Sequence, residues 1–249
     1  MQEKRVALVT GGNKGIGLEI AKALAKNDII VLVGARKLYD GASAAKSIGE
    51  NAHAIQLDVA DQASIDEAAG RIRREFGRLD ILMNNAGISR VPKPDATFQE
   101  AIAQNSLTVA PLADIRAVFE TNVFGMIAVT QAMLPLLRES PAGRIVLTGS
   151  SGASMTLNSD KANAHRKMYG NYSVSKTAAQ AVTLAFALAL ESTNIKVNAA
   201  SPGFTSTALN NFNGTRSAEE GAREPVRLAL LSSDGPTGTF SDENGTVPW

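Results

Sequence analysis

Runs of continuously apolar, β-branched residues alternate with stretches of helical spacing along this chain. The apolar runs cover 5–10, 29–35, 53–59, 79–87, 144–150 and 195–201, and 238–240 opens a short seventh. Between them lie helical stretches at 15–26, where Ile16, Ile20, Ala23 and Leu24 share a face, at 43–50, at 61–76 behind an Asp61 N-cap, at 114–139 and at 175–192. Strands without polar alternation are buried on both faces, and strand–helix alternation makes them parallel neighbours. The expected fold is therefore α/β: a doubly wound parallel sheet of about seven strands with helices on both faces, a three-layer sandwich. No linker-like break divides residues 1–249, so a single domain is expected.

In such a sheet, ligands bind beyond the carboxyl ends of the strands. Those ends read TGGNKG, GARK, LDV, NNAG, TGSS and SPGF, all small, polar or charged. The segments 88–113 and 203–225, rich in Pro, Gly, Asn and Ser, read as loops flanking the same edge. Composition excludes other chemistries. There are no cysteines, so disulfides, thiolate metal sites and cysteine nucleophiles are ruled out. A net charge of +1 gives no reason to expect nucleic acid or an anionic membrane as partner. No uninterrupted apolar run reaches the ~18 residues of a membrane span, and the N-terminus lacks a leader-like cleavage pattern. The expectation is a cytoplasmic protein acting on small molecules, without a metal.

The turn TGGNKGIG, residues 10–17, follows the first strand and opens the first helix. Glycines there let the backbone approach a diphosphate, and the helix N-terminus faces its charge. The Gly11-x3-Gly15-x-Gly17 spacing differs from G-x-G-x-x-G and lacks the Gly-Lys-Ser/Thr of an ATP-binding loop. At the end of the second strand, where an NAD site carries an acid for the ribose, stand Ala35, Arg36 and Lys37. Arg36 and Lys14, the latter inside the turn, are two cations with no carboxylate beside them and favour the extra phosphate of NADP(H).

In YGNYSVSK, residues 169–176, Tyr172 and Lys176 are four apart and share a helix face, whereas Tyr169 precedes the helix. A free phenol has a pKa of about 10. A lysine about 5 Å away, at an effective dielectric of about 20, is expected to lower it by about two units, toward the range of acid–base catalysis. Tyr–Lys pairs at this spacing are commonly solvated surface pairs, so the weight rests on their company.

That company is TGGNKGIG, NNAG, Asn122-Val123, YSVSK and SPG, in this order. With them the chain resembles the short-chain dehydrogenase/reductase family from residue 5 to about 207, and most closely its carbonyl-reductase branch. The resemblance implies a Rossmann-type domain that passes hydride between NADP(H) and a ketone or aldehyde, reversibly with the alcohol. It implies Tyr172 as proton donor, Lys176 on the nicotinamide ribose, Asn122 organising a water linked to that lysine, and Ser150 on the substrate carbonyl. Cofactor contacts would come from Gly11, Asn13, Lys14, Gly15, Ile16 and Gly17, from Arg36, from Asp58 and Val59, from Asn85, Ala86 and Gly87, and from Pro202, Gly203 and Thr207.

The chain departs from the family pattern in one place. Ser150 lies 22 residues before Tyr172, and Ser159 occupies the usual spacing of about a dozen. The strand-end position favours Ser150, leaving 151–168 as an insertion. That insertion either covers a helix face used for self-association or borders the substrate pocket. Ile88, Met155, Leu157, Met168, Phe204 and Phe212 are candidate pocket walls or loop packing. Trp249 is a local anchor or a contact to a neighbour. Two other readings stay open: a 3-oxoacyl-carrier-protein reductase, and a non-catalytic NADP(H) sensor or scaffold.

Overall fold

A computed structural model describes residues 4–89, 100 and 103–249. Strand β1 (Val6–Val9) runs into helix α1 (Gly15–Lys26), then β2 (Ile30–Ala35), α2 (Leu38–Ile48), β3 (Ala52–Gln56), α3 (Gln62–Phe76) and β4 (Ile81–Asn84). The second half holds α4 (Leu112–Phe119), a π-helical turn (Glu120–Phe124), α5 (Gly125–Arg138) and β5 (Arg144–Thr148). After it come α6 (Met155–Ser159), α7 (Asn171–Ala189), β6 (Lys196–Ala200), α8 (Ala218–Ala229), β7 (Phe240–Asp242) and β8 (Gly245–Thr246). Part of the expected 88–113 loop, at 90–99 and 101–102, lies outside the described residues.

The strands form one sheet in the order β3-β2-β1-β4-β5-β6-β7-β8. Every pairing is parallel except β7 with β8. Chain order reverses between β1 and β4, so the switch-point crevice of a doubly wound sheet opens beyond the ends of these two strands. The expected sheet is present, with β8 added as a two-residue antiparallel edge.

Why the strands read as unbroken apolar runs is visible in β1. Val6 and Leu8 enter one core and Ala7 and Val9 the other, because successive side chains point to opposite faces. The first core is closed by Ile65, Ala68 and Ile72 of α3, Val129, Met133 and Leu136 of α5, and Ala187 of α7. The second is closed by Ile20 and Leu24 of α1, Ala44 and Ala45 of α2, and Leu228 of α8. Each fully buried aliphatic side chain of this kind stabilises the fold by about 1.5–3 kcal/mol. Together the two cores hold the sheet as the middle layer of the sandwich.

Helix boundaries follow local chemistry with instructive exceptions. Asp61 is the N-cap of α3, its carboxylate accepting from the Ala63 N–H, as the sequence indicates. The helix expected at 114–139 runs as α4, π turn and α5 in succession. From 112 to 138 it is long and apolar enough to cross a membrane by length and composition. Its buried residues Val118, Val129, Met133, Leu136 and Leu137 give that apolarity a place in the interior. Trp249 acts locally: its ring lies 5.4 Å from that of Phe240, and its carbonyl accepts from Thr156 N at 3.1 Å.

Candidate active site

The glycine turn joins β1 to α1 at the switch point. Gly11 and Gly15 have φ of 61° and 54°, the left-handed region that side chains rarely occupy. A Cβ on Gly17 would stand 2.3 Å from the Gly11 carbonyl oxygen and 2.4 Å from Asn85 Nδ2, so the turn closes only with glycine there. Asn85 braces the same turn, donating from Nδ2 to the carbonyls of Thr10 at 3.0 Å and Gly11 at 3.3 Å. Thr10 Oγ1 accepts the Asn85 and Ala86 N–H groups, each at 2.9 Å. Lys14 is the N-cap of α1 without a side-chain cap, and the first turn holds no acid. The leading N–H groups of α1 therefore present a positive end to an anion. A diphosphate fits this cradle, with Asn13 and Ile16 half-buried beside it.

Next to it, Arg36 and Lys37 follow the end of β2 and are exposed, as is Lys14. Neither Lys14 nor Arg36 forms an ion pair with a described residue. Asp58 and Val59 follow β3. Asp58 is half-buried and folded onto its own turn, with Oδ1 accepting from Ala60 N at 3.1 Å. Thr207 closes the far side, since a Cβ on Gly15 would come within 3.4 Å of its methyl group. Pro202 and Gly203, the latter with φ of 72°, lead into that segment from β6.

The catalytic candidates converge from three elements. The π turn carries Asn122, whose Oδ1 accepts from Ile88 N and whose Nδ2 donates to Ile88 O and Ser175 Oγ, all at 2.9 Å. These bonds place the side chain on the strand-end segment and on α7. A cavity of about 10 Å³, lined by Thr10, Asn84, Thr121 and Asn122 together with apolar Val59, Ala86, Met126 and Leu147, lies beside it, about the room that one water molecule requires. Lys176, 3% exposed, donates from Nζ to the Thr148 carbonyl at 2.8 Å. A Cβ on Gly87 would lie 3.1 Å from Asn122 Oδ1 and 3.5 Å from Lys176 Nζ, so the absence of a side chain leaves space where both groups meet.

Tyr172 occupies the first turn of α7, half-buried, and its hydroxyl makes no hydrogen bond with a described residue. Tyr169 is engaged elsewhere, its hydroxyl paired with Thr177 Oγ1 at 2.8 Å. Ser150 stands two residues beyond β5, its carbonyl held by Gln180 Nε2 at 2.9 Å. Ser159 ends α6, exposed, with its hydroxyl donating to the Thr156 carbonyl.

One electrostatic expectation is corrected. Burial pushes the Tyr172 phenol up to about 12, where attraction to Lys176 alone would lower it. The same desolvation depresses the Lys176 ammonium to about 8. Both groups lose water on folding, and desolvation sets the direction of each shift.

The short chain dehydrogenase family description matches residues 5–217. The chain belongs to the short-chain dehydrogenase family. It is 37% identical over 240 residues to the short-chain dehydrogenase anuI of Penicillium roqueforti, covering 92% of this chain and 90% of that one. It is 30% identical to the (+)-neomenthol dehydrogenase of Capsicum annuum, with 95% of each covered. Among solved structures, the 3-ketoacyl-(acyl-carrier-protein) reductase from Brucella melitensis complexed with NADH superposes with a TM-score of 0.80. That match has 25% identity and covers 97% of each chain. The chain is thus an oxidoreductase of a family that uses a nicotinamide cofactor and acts on small molecules.

Sequence reasoning missed two features of this short-chain dehydrogenase. In the segment after β6, Asn211 and Phe212 both adopt left-handed φ, 52° and 59°. Phe212 is held there by donating its N–H to the Thr207 carbonyl at 2.8 Å, and its ring is 70% exposed. Arg216 closes the segment by pairing with Glu243 between β7 and β8. No glycine marks the left-handed pair. The second feature is Asn105, whose bonds reach the start of α7; nothing local in the sequence points to it.

Proposed function

We propose that this enzyme is an NADPH-dependent carbonyl reductase, reversible as an alcohol dehydrogenase, with Tyr172 as its general acid. The reading is carried by one observation. The Tyr172 hydroxyl, without a partner among the described residues, and the desolvated Lys176 lie one turn apart on α7. That helix packs against the carboxyl end of β5 beside the glycine cradle.

NADPH, when bound, supplies the hydride that reaches the carbonyl carbon. The protein's own groups manage the oxygen. Tyr172 gives its proton to the oxygen as charge develops there, and Ser150 donates a hydrogen bond to the same atom. Lys176, the buried cation of the site, stabilises the phenolate left behind until solvent restores the proton. Asn122 fixes the backbone at Ile88 and so the wall on which Gly87 leaves room.

On this reading the substrate side is apolar. Met155, Leu157, Met168, Phe204 and Phe212, all from segments after β5 and β6, are exposed large side chains. Such a rim favours ketones and aldehydes with apolar bodies over charged substrates. The name of the Capsicum annuum relative, a neomenthol dehydrogenase, agrees with that class.

NADPH consumption, followed by absorbance against a panel of cyclic and aryl ketones with NADH in parallel, tests the reading. Preferred oxidation of NADPH with at least one apolar ketone is the expected result. Tight NADPH binding without turnover of any carbonyl would instead favour a sensor.

Cofactor choice has its own prediction. Charge-assisted hydrogen bonds contribute about 1.5–3 kcal/mol each. Arg36→Asp is therefore expected to lower kcat/KM for NADPH by about 10- to 100-fold while raising that for NADH. An unchanged ratio of the two would show that the 2′-phosphate lies elsewhere.

A further inference from the structure

Helix α7 carries Tyr172 and Lys176 but does not cap itself. Its N-cap is Gly170, which has no side chain to accept the first orphan N–H groups. They are taken by a residue 66 or more positions earlier in the chain. Asn105 accepts the Asn171 N–H on its carbonyl at 2.7 Å, and it accepts the Tyr172 N–H on its side-chain Oδ1 at 3.3 Å. Gly170 makes the approach possible, because a Cβ there would lie 2.4 Å from the Asn105 carbonyl oxygen.

The peptide that joins Asn105 to Ser106 is held in a turn. Ser106 N donates to the Ala103 carbonyl at 3.3 Å, and Ala110 N to the Ser106 carbonyl at 2.9 Å, just ahead of Pro111, the N-cap of α4. The same short stretch exposes Leu107 and Val109 at the surface. Asn105 thus ties this surface stretch to the backbone N–H of the candidate acid itself.

We propose that Asn105 is a positioning residue for Tyr172. By capping α7 from a distant segment it sets where the phenol stands, and it touches neither substrate nor cofactor. The proposal rests on the reading of Tyr172 as the proton donor. Misplacement of a reacting group by about 1 Å costs up to about 100-fold in rate, so a loosened first turn acts on kcat. The cofactor cradle at α1 is a separate element and is left intact.

The test compares Asn105→Ala, Asn105→Asp and Gly170→Ala with the wild-type enzyme. It reads kcat, KM for NADPH, thermal midpoint, and amide exchange of the peptide spanning Asn171 and Tyr172. Asn105→Ala is expected to lower kcat about tenfold, with KM for NADPH within about twofold. Exchange at the start of α7 accelerates while the strands keep their protection. Asn105→Asp retains an oxygen acceptor at a helix N-terminus and is expected to restore kcat to within about threefold of wild type. Gly170→Ala, which displaces the Asn105 carbonyl from the other side, reproduces the loss.

Wild-type kcat in Asn105→Ala overturns the proposal, as does an Asn105→Asp enzyme as slow as the alanine variant. Acceleration of exchange throughout the molecule overturns it too, since the role would then be global stability. Tyr172→Phe separates the two readings. If that variant is dead while Asn105→Ala is normal, only the positioning role falls; if Tyr172→Phe keeps its turnover, the assignment of the acid falls with it.

Discussion

Tyr172→Phe is expected to reduce kcat/KM for ketone reduction by about 1000-fold, within the 10²–10⁴ that general acid catalysis contributes. The substitution removes one hydroxyl, and that hydroxyl has no hydrogen-bond partner among the described residues, so the fold loses no such bond when it goes. The thermal midpoint and the affinity for NADPH should stay close to wild type, which separates a chemical defect from a structural one. Tyr169→Phe is the matched control. It deletes the hydroxyl paired with Thr177 at 2.8 Å and is expected to cost about 1 kcal/mol of stability with little change in kcat. Retention of more than about a tenth of wild-type turnover by Tyr172→Phe would remove the phenol from the mechanism.

That contrast between two tyrosines three residues apart is legible in the sequence, because α-helical spacing with Lys176 singles out one of them. The sheet and the glycine turn are legible for a similar reason: buried parallel strands are apolar on both faces, and left-handed turns favour glycine. Helix α1 spans the expected residues 15–26. Elsewhere the deciding contact is not local. Helix α7 starts at Asn171, as the Tyr172–Lys176 spacing requires, but its cap comes from Asn105 in another part of the chain, which no local pattern indicates. Helix α2 begins at Leu38, although Leu38 and Tyr39 are exposed and give no apolar period there. The π turn at 120–124 is a one-residue slip in hydrogen bonding, Gly125 N reaching Glu120 O. Gly125 also permits close packing on Val59, whose carbonyl oxygen would lie 2.5 Å from an added Cβ. Neither effect leaves a residue pattern. The Tyr172 phenol departs from what a neighbouring lysine alone would give because folding also removes its water, a loss that no residue spacing displays.

The same desolvation makes Lys176→Met expected to be both inactive and more stable. Loss of the buried ammonium beside Tyr172 should lower turnover by about 1000-fold, since the phenolate then has no cation to stabilise it. Stability should move the other way. A lysine drawn from 10.5 down to about 8 in the fold carries a cost at neutral pH on the order of 3 kcal/mol, at about 1.4 kcal/mol per pH unit. Part of the gain from removing the charge is offset, because the Thr148 carbonyl loses its donor, a loss of about 1–3 kcal/mol. A net gain of about 1 kcal/mol raises the melting temperature of a chain this size by about 2–4 °C. The pH dependence fixes the cause. Below about 8 the lysine is protonated in both the native and the unfolded wild type, so the full cost is present. From about 8 to 10.5 the native form has shed a proton that the unfolded chain still holds, and wild-type stability recovers as pH rises. The advantage of Lys176→Met should therefore be largest near pH 7 and shrink toward pH 10, as read from denaturant midpoints across that range. A difference that stays constant with pH would mean that packing, not the buried charge, separates the two proteins.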